Sequence, residues 1–155
     1  MPSKKLKAFL DKNQIHFVSI AHSRAYTTQM IARSAHIHAK ELAKTVIVNI
    51  DDKLAMAVLP ASDSVDLELL KHSTGAQEVR LATEGEFQDA FPDCEVGAMP
   101  PFGNLYDMEV FVSPRLAEDE QIAFNAGTHT ELVQLAYTDF AELVAPAVVK
   151  LSNRD

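Results

Sequence analysis

Residues 46–59 read VIVNIDDKLAMAVL and carry the clearest secondary-structure signal in the chain. Residues 46–50 are mostly β-branched and almost entirely apolar, which predicts a central strand that is buried on both faces. Asp51-Asp52-Lys53 predicts a turn, and residues 54–59 predict the returning strand. The stretch therefore predicts a β-hairpin within the sheet, although its turn has no glycine to fix the turn type.

Helices and strands alternate irregularly on both sides of this hairpin. Apolar periodicity predicts helices at 3–12, 27–35, 66–71, 83–91 and 138–145 and strands at 16–20, 108–112, 121–124 and 132–136. The expected N-caps are Thr27 or Thr28, Thr83 with Glu86 in a capping box, and Thr138 or Asp139. Hairpins mixed with helical connections predict an α/β fold, a single compact domain over residues 1–155 with a mixed, mostly antiparallel sheet and surrounding helices.

Composition limits the class of protein. With 155 residues, 47% hydrophobic and 23% charged, the chain has the size and composition of one globular domain. It has no apolar run of the roughly 20 residues that cross a membrane, and no secretory signal follows its N-terminus. Its single cysteine, Cys94, excludes an internal disulfide and any metal site with two thiolates. We expect a cytoplasmic protein with no membrane partner.

The net charge of −8 argues against general nucleic-acid binding, so DNA is not an expected partner. Contact with RNA is expected to be local, at an end or a loop. The basic residues concentrate at the N-terminus, as Lys4, Lys5, Lys7 and Lys12. A cluster of this kind is more often the solvated face of a helix than a binding site.

Lys44 is the first residue that the sequence singles out for chemistry. It stands just before the buried strand and, by the two-residue period, on the same face as Val46 and Val48. A lysine at such a place loses hydration, which is unusual unless the ammonium has a function. The structural alternative is a lysine whose ammonium reaches solvent at the strand end.

Two loops form the other candidate segments. Residues 97–103, GAMPPFG, have a glycine at each end and two prolines, so they form a rigid loop that can offer N–H groups to a developing oxyanion. Residues 125–130, NAGTHT, predict a tight turn at Gly127 with His129 beside it. Either segment alone is also consistent with a plain connection. His36 and His38 are more often exposed than metal ligands, and Cys94 is typical of a small core residue.

Taken together, the segments resemble the YbaK / prolyl-tRNA-synthetase-associated editing domain family. The residues that carry the resemblance are 27–32, Ala43-Lys44-Thr45, 97–103 and 124–131, within a match from about 22 to 144. The resemblance implies a barrel-like mixed sheet and hydrolysis of the ester between a wrong amino acid and its tRNA, most often tRNA for proline. It implies aminoacyl-tRNA, bound by its acceptor end, as partner, and an aminoacyl-tRNA synthetase as a second possible partner. It also implies that no metal or organic cofactor takes part.

The same resemblance implies the site. Lys44 is the expected catalytic residue, and the expected substrate-binding residues are Thr45, Gly97, Ala98, Met99, Pro101, Phe102, Gly103, Gly127 and His129. Many family members have Ser or Thr where this chain has Pro100, which lacks both a hydroxyl and an N–H. The chain departs from the family at that position, which affects the expected specificity.

Two other functions remain open at this stage. The first is a non-catalytic module of the same fold that binds a nucleotide or an aminoacyl-adenylate-like ligand. The second is an interaction protein that docks on a synthetase. The leading expectation is a hydrolase that acts in trans, because no synthetase domain is attached to the sequence.

Overall fold

A computed structural model of the protein describes residues 4–22, 30, 33 and 37–155, with the backbone alone for Ala39. The helices with described bounds are α1 (Lys4–Lys12), α2 (Leu67–Thr74), α3 (Glu84–Phe87), α4 (Pro114–Ala117) and α5 (Tyr137–Val144). The strands are β1 (Phe17–Ala21), β2 (Ala43–Ile50), β3 (Lys53–Pro60), β4 (Val79–Leu81), β5 (Glu109–Val112), β6 (Gln121–Asn125), β7 (Glu131–Ala136) and β8 (Ala147–Val148). Single 3-10 turns lie at Ala39–Glu41, Gln88–Ala90 and Gly103–Leu105.

The strands form two sheets. The three-stranded sheet has the order β1-β7-β6 and is antiparallel throughout. The five-stranded sheet has the order β4-β2-β3-β5-β8, antiparallel from β4 to β3 and parallel from β3 to β8. A bridge between Leu42 and Ala123 joins the start of β2 to β6. The predicted mixed, barrel-like α/β fold is confirmed, although the described strands do not close into a barrel.

The β2–β3 hairpin confirms the central prediction and shows how it turns without glycine. Ile50 pairs with Lys53, so the two loop residues are Asp51 and Asp52, with φ of 48° and 69°. Positive φ at both positions is typical of a type I′ turn. The Asp52 N–H donates to Asn49 Oδ1 over 2.9 Å. The Asp51 carboxylate accepts from the backbone N–H groups of residues 77 and 78. Side-chain hydrogen bonds therefore stabilise this turn.

The two faces of β2 belong to two different cores. Ala43 and Ile47 pack into the main core, which lies between the sheets and also receives α1 and α5. Val46 and Val48 pack on the other face, in a smaller core with Leu70 of α2. Because alternate side chains of a strand point to opposite faces, β2 has the two-sided burial that its sequence predicted.

Several local predictions need correction. Helix α5 begins at Tyr137 with Ala136 as its N-cap, so Thr138 and Asp139 lie inside its first turn and do not cap it. The Tyr137 N–H instead donates to the Glu120 carbonyl, a tertiary partner that replaces a side-chain cap. Helix α4 and the short strands β4 and β8 were not predicted. The helix expected from Thr27 or Thr28 lies outside the described residues, except for Met30 and Arg33, which are helical.

None of the helices in the described part of the chain has the length and apolar character needed to cross a membrane.

Candidate active site

The loop at 97–103 and the turn around Gly127 are joined by two backbone hydrogen bonds. The Gly127 N–H donates to the Ala98 carbonyl over 2.8 Å, and the Gly127 carbonyl accepts from the Glu95 N–H over 2.7 Å. Gly127 is buried and has a φ of 99°, a conformation that glycine adopts without steric cost. Two of the three segments predicted from the sequence therefore form one connected unit.

His129 makes a second connection between the same two segments. Its Nε2 lies 2.7 Å from the Val96 carbonyl oxygen, and its backbone N–H donates to Glu95 Oε1 over 3.3 Å. A carbonyl oxygen only accepts, so Nε2 carries the hydrogen in this contact. Gly97 has a φ of 85°, and a Cβ at this position would stand 3.3 Å from His129 Cε1. The imidazole therefore packs directly over the first glycine of the loop.

The second half of the loop is anchored in the main core. The fully buried Phe102 ring lies 5.5 Å from the Phe124 ring and 5.6 Å from the Phe140 ring, measured between centroids. A Cβ on Gly103 would come within 2.3 Å of the Met108 carbonyl oxygen, so this glycine is required by space. Pro101 and Met99 are also buried. Gly97 is exposed, so the loop runs from a surface end into a fixed, packed end.

The N–H groups of the loop differ in availability. The Ala98 N–H already donates to the Glu95 carbonyl over 3.0 Å, so it is not free to bind an oxyanion. The Gly97 N–H faces the Met99 sulfur at 3.3 Å. Within the described residues, the N–H groups of Met99, Phe102 and Gly103 have no intramolecular acceptor. These groups are the loop donors that no other part of the described structure uses.

Lys44 is the second residue of β2 and is half-buried. It pairs with Leu59 of β3 and shares the face of Val46 and Val48, as its sequence position predicted. Thr45 lies on the other face, that of Ala43 and Ile47 in the main core. Within the described part of the chain, Lys44 Nζ has no hydrogen bond or ion pair, and none joins it to the loop at 97–103 or to His129.

Lys40, just before β2, is neutralised by the acidic side chains of Glu118 and Asp119. Lys40 Nζ lies 2.8 Å from Glu118 Oε2 and 3.6 Å from Asp119 Oδ1. The hydrogen bond to Glu118 raises the pKa of Lys40, and the same contact lowers the pKa of Glu118. Burial raises the pKa of Asp119. Lys40 therefore forms a local ion pair, whereas Lys44 forms none within the described residues.

The other candidates that lie in the described part of the chain have no catalytic geometry. Cys94 lies 3.6 Å from the Tyr106 hydroxyl, and burial raises the pKa of its thiol to about 11, so it is protonated and unreactive at neutral pH. His38 is exposed, and His36 lies outside the described residues. In the described ranges, no three His, Cys, Asp or Glu side chains converge as a metal site would require.

A cleft of about 760 Å³ lies elsewhere, between the turn of the β2–β3 hairpin and residues 106–111. It contains none of the predicted site residues. Its lining includes three acidic side chains, those of Asp51, Asp107 and Glu109, and one lysine, Lys53. Carboxylates at this density repel phosphate, so this cleft does not suit a phosphate-bearing ligand.

A family model for the aminoacyl-tRNA editing domain matches residues 22–143, which include all the predicted site residues. The chain belongs to this family. A relative from Escherichia coli K12, named multifunctional Ser/Thr-tRNA deacylase ProXp-y, is 25% identical over 151 residues, covering 94% of this chain and 90% of that protein. The proline–tRNA ligase of Shouchella clausii is 27% identical over 125 residues, covering 81% of this chain but 20% of the ligase.

Solved structures show the same fold. One, described as a candidate trans-editing enzyme for prolyl-tRNA synthetase, superposes with a TM-score of 0.83 at 15% identity and covers 97% of this chain and 96% of that one. Another, described as a hypothetical protein, has a TM-score of 0.82 at 18% identity. Together with the family match, the named relatives confirm the predicted class of function, an aminoacyl-tRNA deacylase.

The structure also reveals contributors that the sequence did not single out. The Glu95 backbone N–H donates to the Gly127 carbonyl, and the Glu95 carboxylate accepts from the His129 N–H. Val96 provides the carbonyl that the His129 ring contacts. Both lie just before the predicted loop, where no motif or period marks them. Only the tertiary arrangement, which brings residues more than 30 positions apart together, shows their role.

Proposed function

We propose that this editing domain acts in trans in the cytoplasm and hydrolyses tRNA for proline that carries a wrong small amino acid. The observation that carries the proposal is the connected unit of loop and turn in which Gly97, Gly127 and His129 meet, in a chain of the editing family. The coverage of the E. coli deacylase supports action in trans. The ligase match supports a link to proline and, through it, to a synthetase as partner.

The chemistry requires little from the protein. An aminoacyl ester is already activated, so a positioned water with electrostatic stabilisation of the carbonyl oxygen suffices. The Met99 and Phe102 N–H groups are the backbone donors proposed for that oxygen. A ribose hydroxyl of the substrate helps to deliver the water. His129 and Gly97 define the space left for the amino-acid side chain.

Lys44 supplies the fixed cation in this proposal. It is half-buried and unpaired in the described structure, so it can contact the terminal phosphate or the ester carbonyl without first breaking an ion pair. Partial burial weakens solvent screening and strengthens such a contact. Thr45 is proposed to position strand β2 on one side of the substrate, and Pro101 to position the loop at 97–103 on the other.

One alternative has a specific observation in its favour. Pro100 has no N–H and the Ala98 N–H is occupied, so the loop offers fewer donors than its length suggests. A module with few donors could bind a nucleotide or an aminoacyl-adenylate-like ligand, or dock on a synthetase, without catalysis. The experiment below separates binding from turnover.

The test is deacylation by the purified chain of a panel of mischarged tRNAs. Alanyl-, cysteinyl- and seryl-tRNA for proline are tried first, followed by seryl- and threonyl-tRNA because of the name of the E. coli relative. Lys44→Met, which removes the charge and keeps most of the unbranched side chain, is expected to lower kcat/KM at least about 100-fold. Lys53→Met is the matched control at the exposed far end of the same hairpin, and it should retain full activity.

The possible outcomes are distinct. Turnover that depends on Lys44 supports the proposal. Full turnover in Lys44→Met shows that this lysine has no catalytic role. Binding of aminoacyl-tRNA without turnover of any substrate supports the non-catalytic module.

A further inference from the structure

Helix α1 is a positively charged segment of an acidic protein. Its nine residues include four lysines and one acidic residue, Asp11, in a chain with 14 basic and 22 acidic side chains. The lysines occupy exposed positions, whereas Leu6 and Leu10 are fully buried. A local positive face on a negative molecule attracts a polyanion and orients it toward that face.

Most of this positive charge is not neutralised by the described part of the chain. Among the α1 lysines, Lys7 alone pairs with a described carboxylate, that of Asp11 at 3.0 Å. Lys5 Nζ lies 4.6 Å from the centre of the Tyr106 ring, a contact that leaves its charge uncompensated. Lys4 and Lys12 have no carboxylate partner in the described residues. Three lysines are therefore available to an external anion.

The helix is also fixed beside the candidate active site. Phe9 packs against Phe102 of the loop, with the ring centroids 6.1 Å apart and the planes 73° apart. Tyr106, under Lys5, follows the same loop after one 3-10 turn. The segment that anchors the loop in the core therefore also anchors α1, and the lysines stand at a fixed position relative to the loop.

We propose that the exposed face of α1 binds the phosphate backbone of the tRNA acceptor stem while the 3′ end lies at the loop. This inference rests on the proposed function, and it assigns the surface that recognises the body of the substrate. Lys4 and Lys12 stand about 12 Å apart along the helix axis. That span reaches more than one phosphate of a nucleic-acid strand. Lysines contact phosphate without reading sequence, so this surface supplies affinity and orientation, and amino-acid selection stays at the loop.

The experiment compares two triple variants of the full chain. Lys4→Gln/Lys5→Gln/Lys12→Gln removes the proposed contacts and leaves the Lys7–Asp11 pair in place. Lys53→Gln/Lys71→Gln/Lys150→Gln is the control, with the same change of charge on other elements. Each protein is tested for binding to uncharged tRNA as a function of salt. Each is also tested for deacylation of full-length mischarged tRNA and of an aminoacylated CCA trinucleotide, which has no stem.

We expect the α1 variant to lose at least about tenfold in tRNA affinity and in kcat/KM on full-length tRNA. The slope of log K against log salt should fall by about 2 to 3, roughly one for each lost phosphate contact. Hydrolysis of the trinucleotide should be nearly unchanged, and Lys→Arg at the three positions should restore binding. A purely structural role of these lysines would not produce this salt dependence.

The failure of this inference is distinguishable from that of the proposed function. Wild-type turnover with an α1 variant that matches the control overturns the surface and leaves the function intact. Binding that depends on the α1 lysines, without turnover of any substrate, overturns the hydrolysis and keeps the surface. Wild-type protein that neither binds tRNA nor hydrolyses it overturns both.

Discussion

His129 Nε2 and the Val96 carbonyl oxygen lie 2.7 Å apart, and this contact fastens the turn at Gly127 to the start of the loop at 97–103. The two residues are 33 positions apart in sequence. The imidazole also packs over Gly97, so His129 contacts two consecutive residues at the start of the loop.

Replacing His129 tests this fastening. His129→Ala removes the hydrogen bond, so we expect the free energy of unfolding to fall by about 1 kcal/mol. We expect kcat/KM on mischarged tRNA to fall about tenfold, because a loosened loop holds the ester less well. Urea unfolding and deacylation kinetics measure the two effects. His38→Ala is the control, since the described hydrogen bonds of this exposed histidine use its backbone N–H and carbonyl and not its ring. Equal effects of the two variants would contradict the role given to His129.

Gly97 provides a matched pair of glycine substitutions. Gly97→Ala places a Cβ at a φ of 85° and 3.3 Å from the imidazole, so we expect a loss of about 1–2 kcal/mol in unfolding free energy. Gly85→Ala meets nothing within 4 Å and lies in helix α3, so it should be neutral or slightly stabilising. In Gly97→Ala/His129→Ala the imidazole is gone, and the combined loss should be less than additive. Strict additivity would show that the two residues do not interact.

Local signals in the sequence were enough to predict the hairpin and the capping box of α3. The β2–β3 hairpin depends on a run of β-branched residues, and the capping box depends on Thr83 and Glu86. Each feature therefore depends on residues that are close in sequence. Strands β4 and β8 have only three and two residues and depend on pairing with distant strands, which no periodicity reveals. The cap of α5 was predicted wrongly because a carbonyl from another segment satisfies Tyr137.

The candidate site likewise combines features that the sequence indicates with contacts that only the fold reveals. The loop and turn were visible as glycine-containing segments, and Lys44 as a charge before a buried strand. Their connection was not visible, because it depends on Glu95 and Val96 meeting the turn across the fold. The ion pair that neutralises Lys40 and leaves Lys44 unpaired likewise joins residues 78 positions apart.

Glycine substitutions at the two turn residues of the β2–β3 hairpin should change the free energy of unfolding in opposite directions. Asp52→Gly creates the Asp-Gly pair favoured in type I′ turns and removes a non-glycine residue from a φ of 69°. We expect a gain of about 0.5–1 kcal/mol in unfolding free energy. Asp51→Gly removes the carboxylate that accepts from the backbone of residues 77 and 78, so it should be destabilising. Thermal or urea unfolding checks both, and a loss of stability in Asp52→Gly would contradict the assigned turn geometry.

The Glu86 carboxylate should make the free energy of unfolding depend on pH in the acidic range. This carboxylate accepts two hydrogen bonds from Arg80, at 2.7 and 2.9 Å, one from the Thr83 N–H and one from the Asn49 side-chain amide. The Arg80 contact makes the largest contribution to lowering its pKa, which is about 2. A carboxylate whose pKa is lower in the folded state stabilises fully above its unfolded pKa, about 4.3, and loses this contribution as pH falls to about 2. Glu86→Gln should therefore be less stable than wild type at pH 7, and the difference should shrink between about pH 5 and pH 2. Glu84→Gln is the control, because it removes a carboxylate of the same helix that has no described side-chain hydrogen bond. Urea unfolding of the three proteins across this range is the measurement, and a constant difference for Glu86→Gln would show that its ionised form is not what stabilises the start of α3.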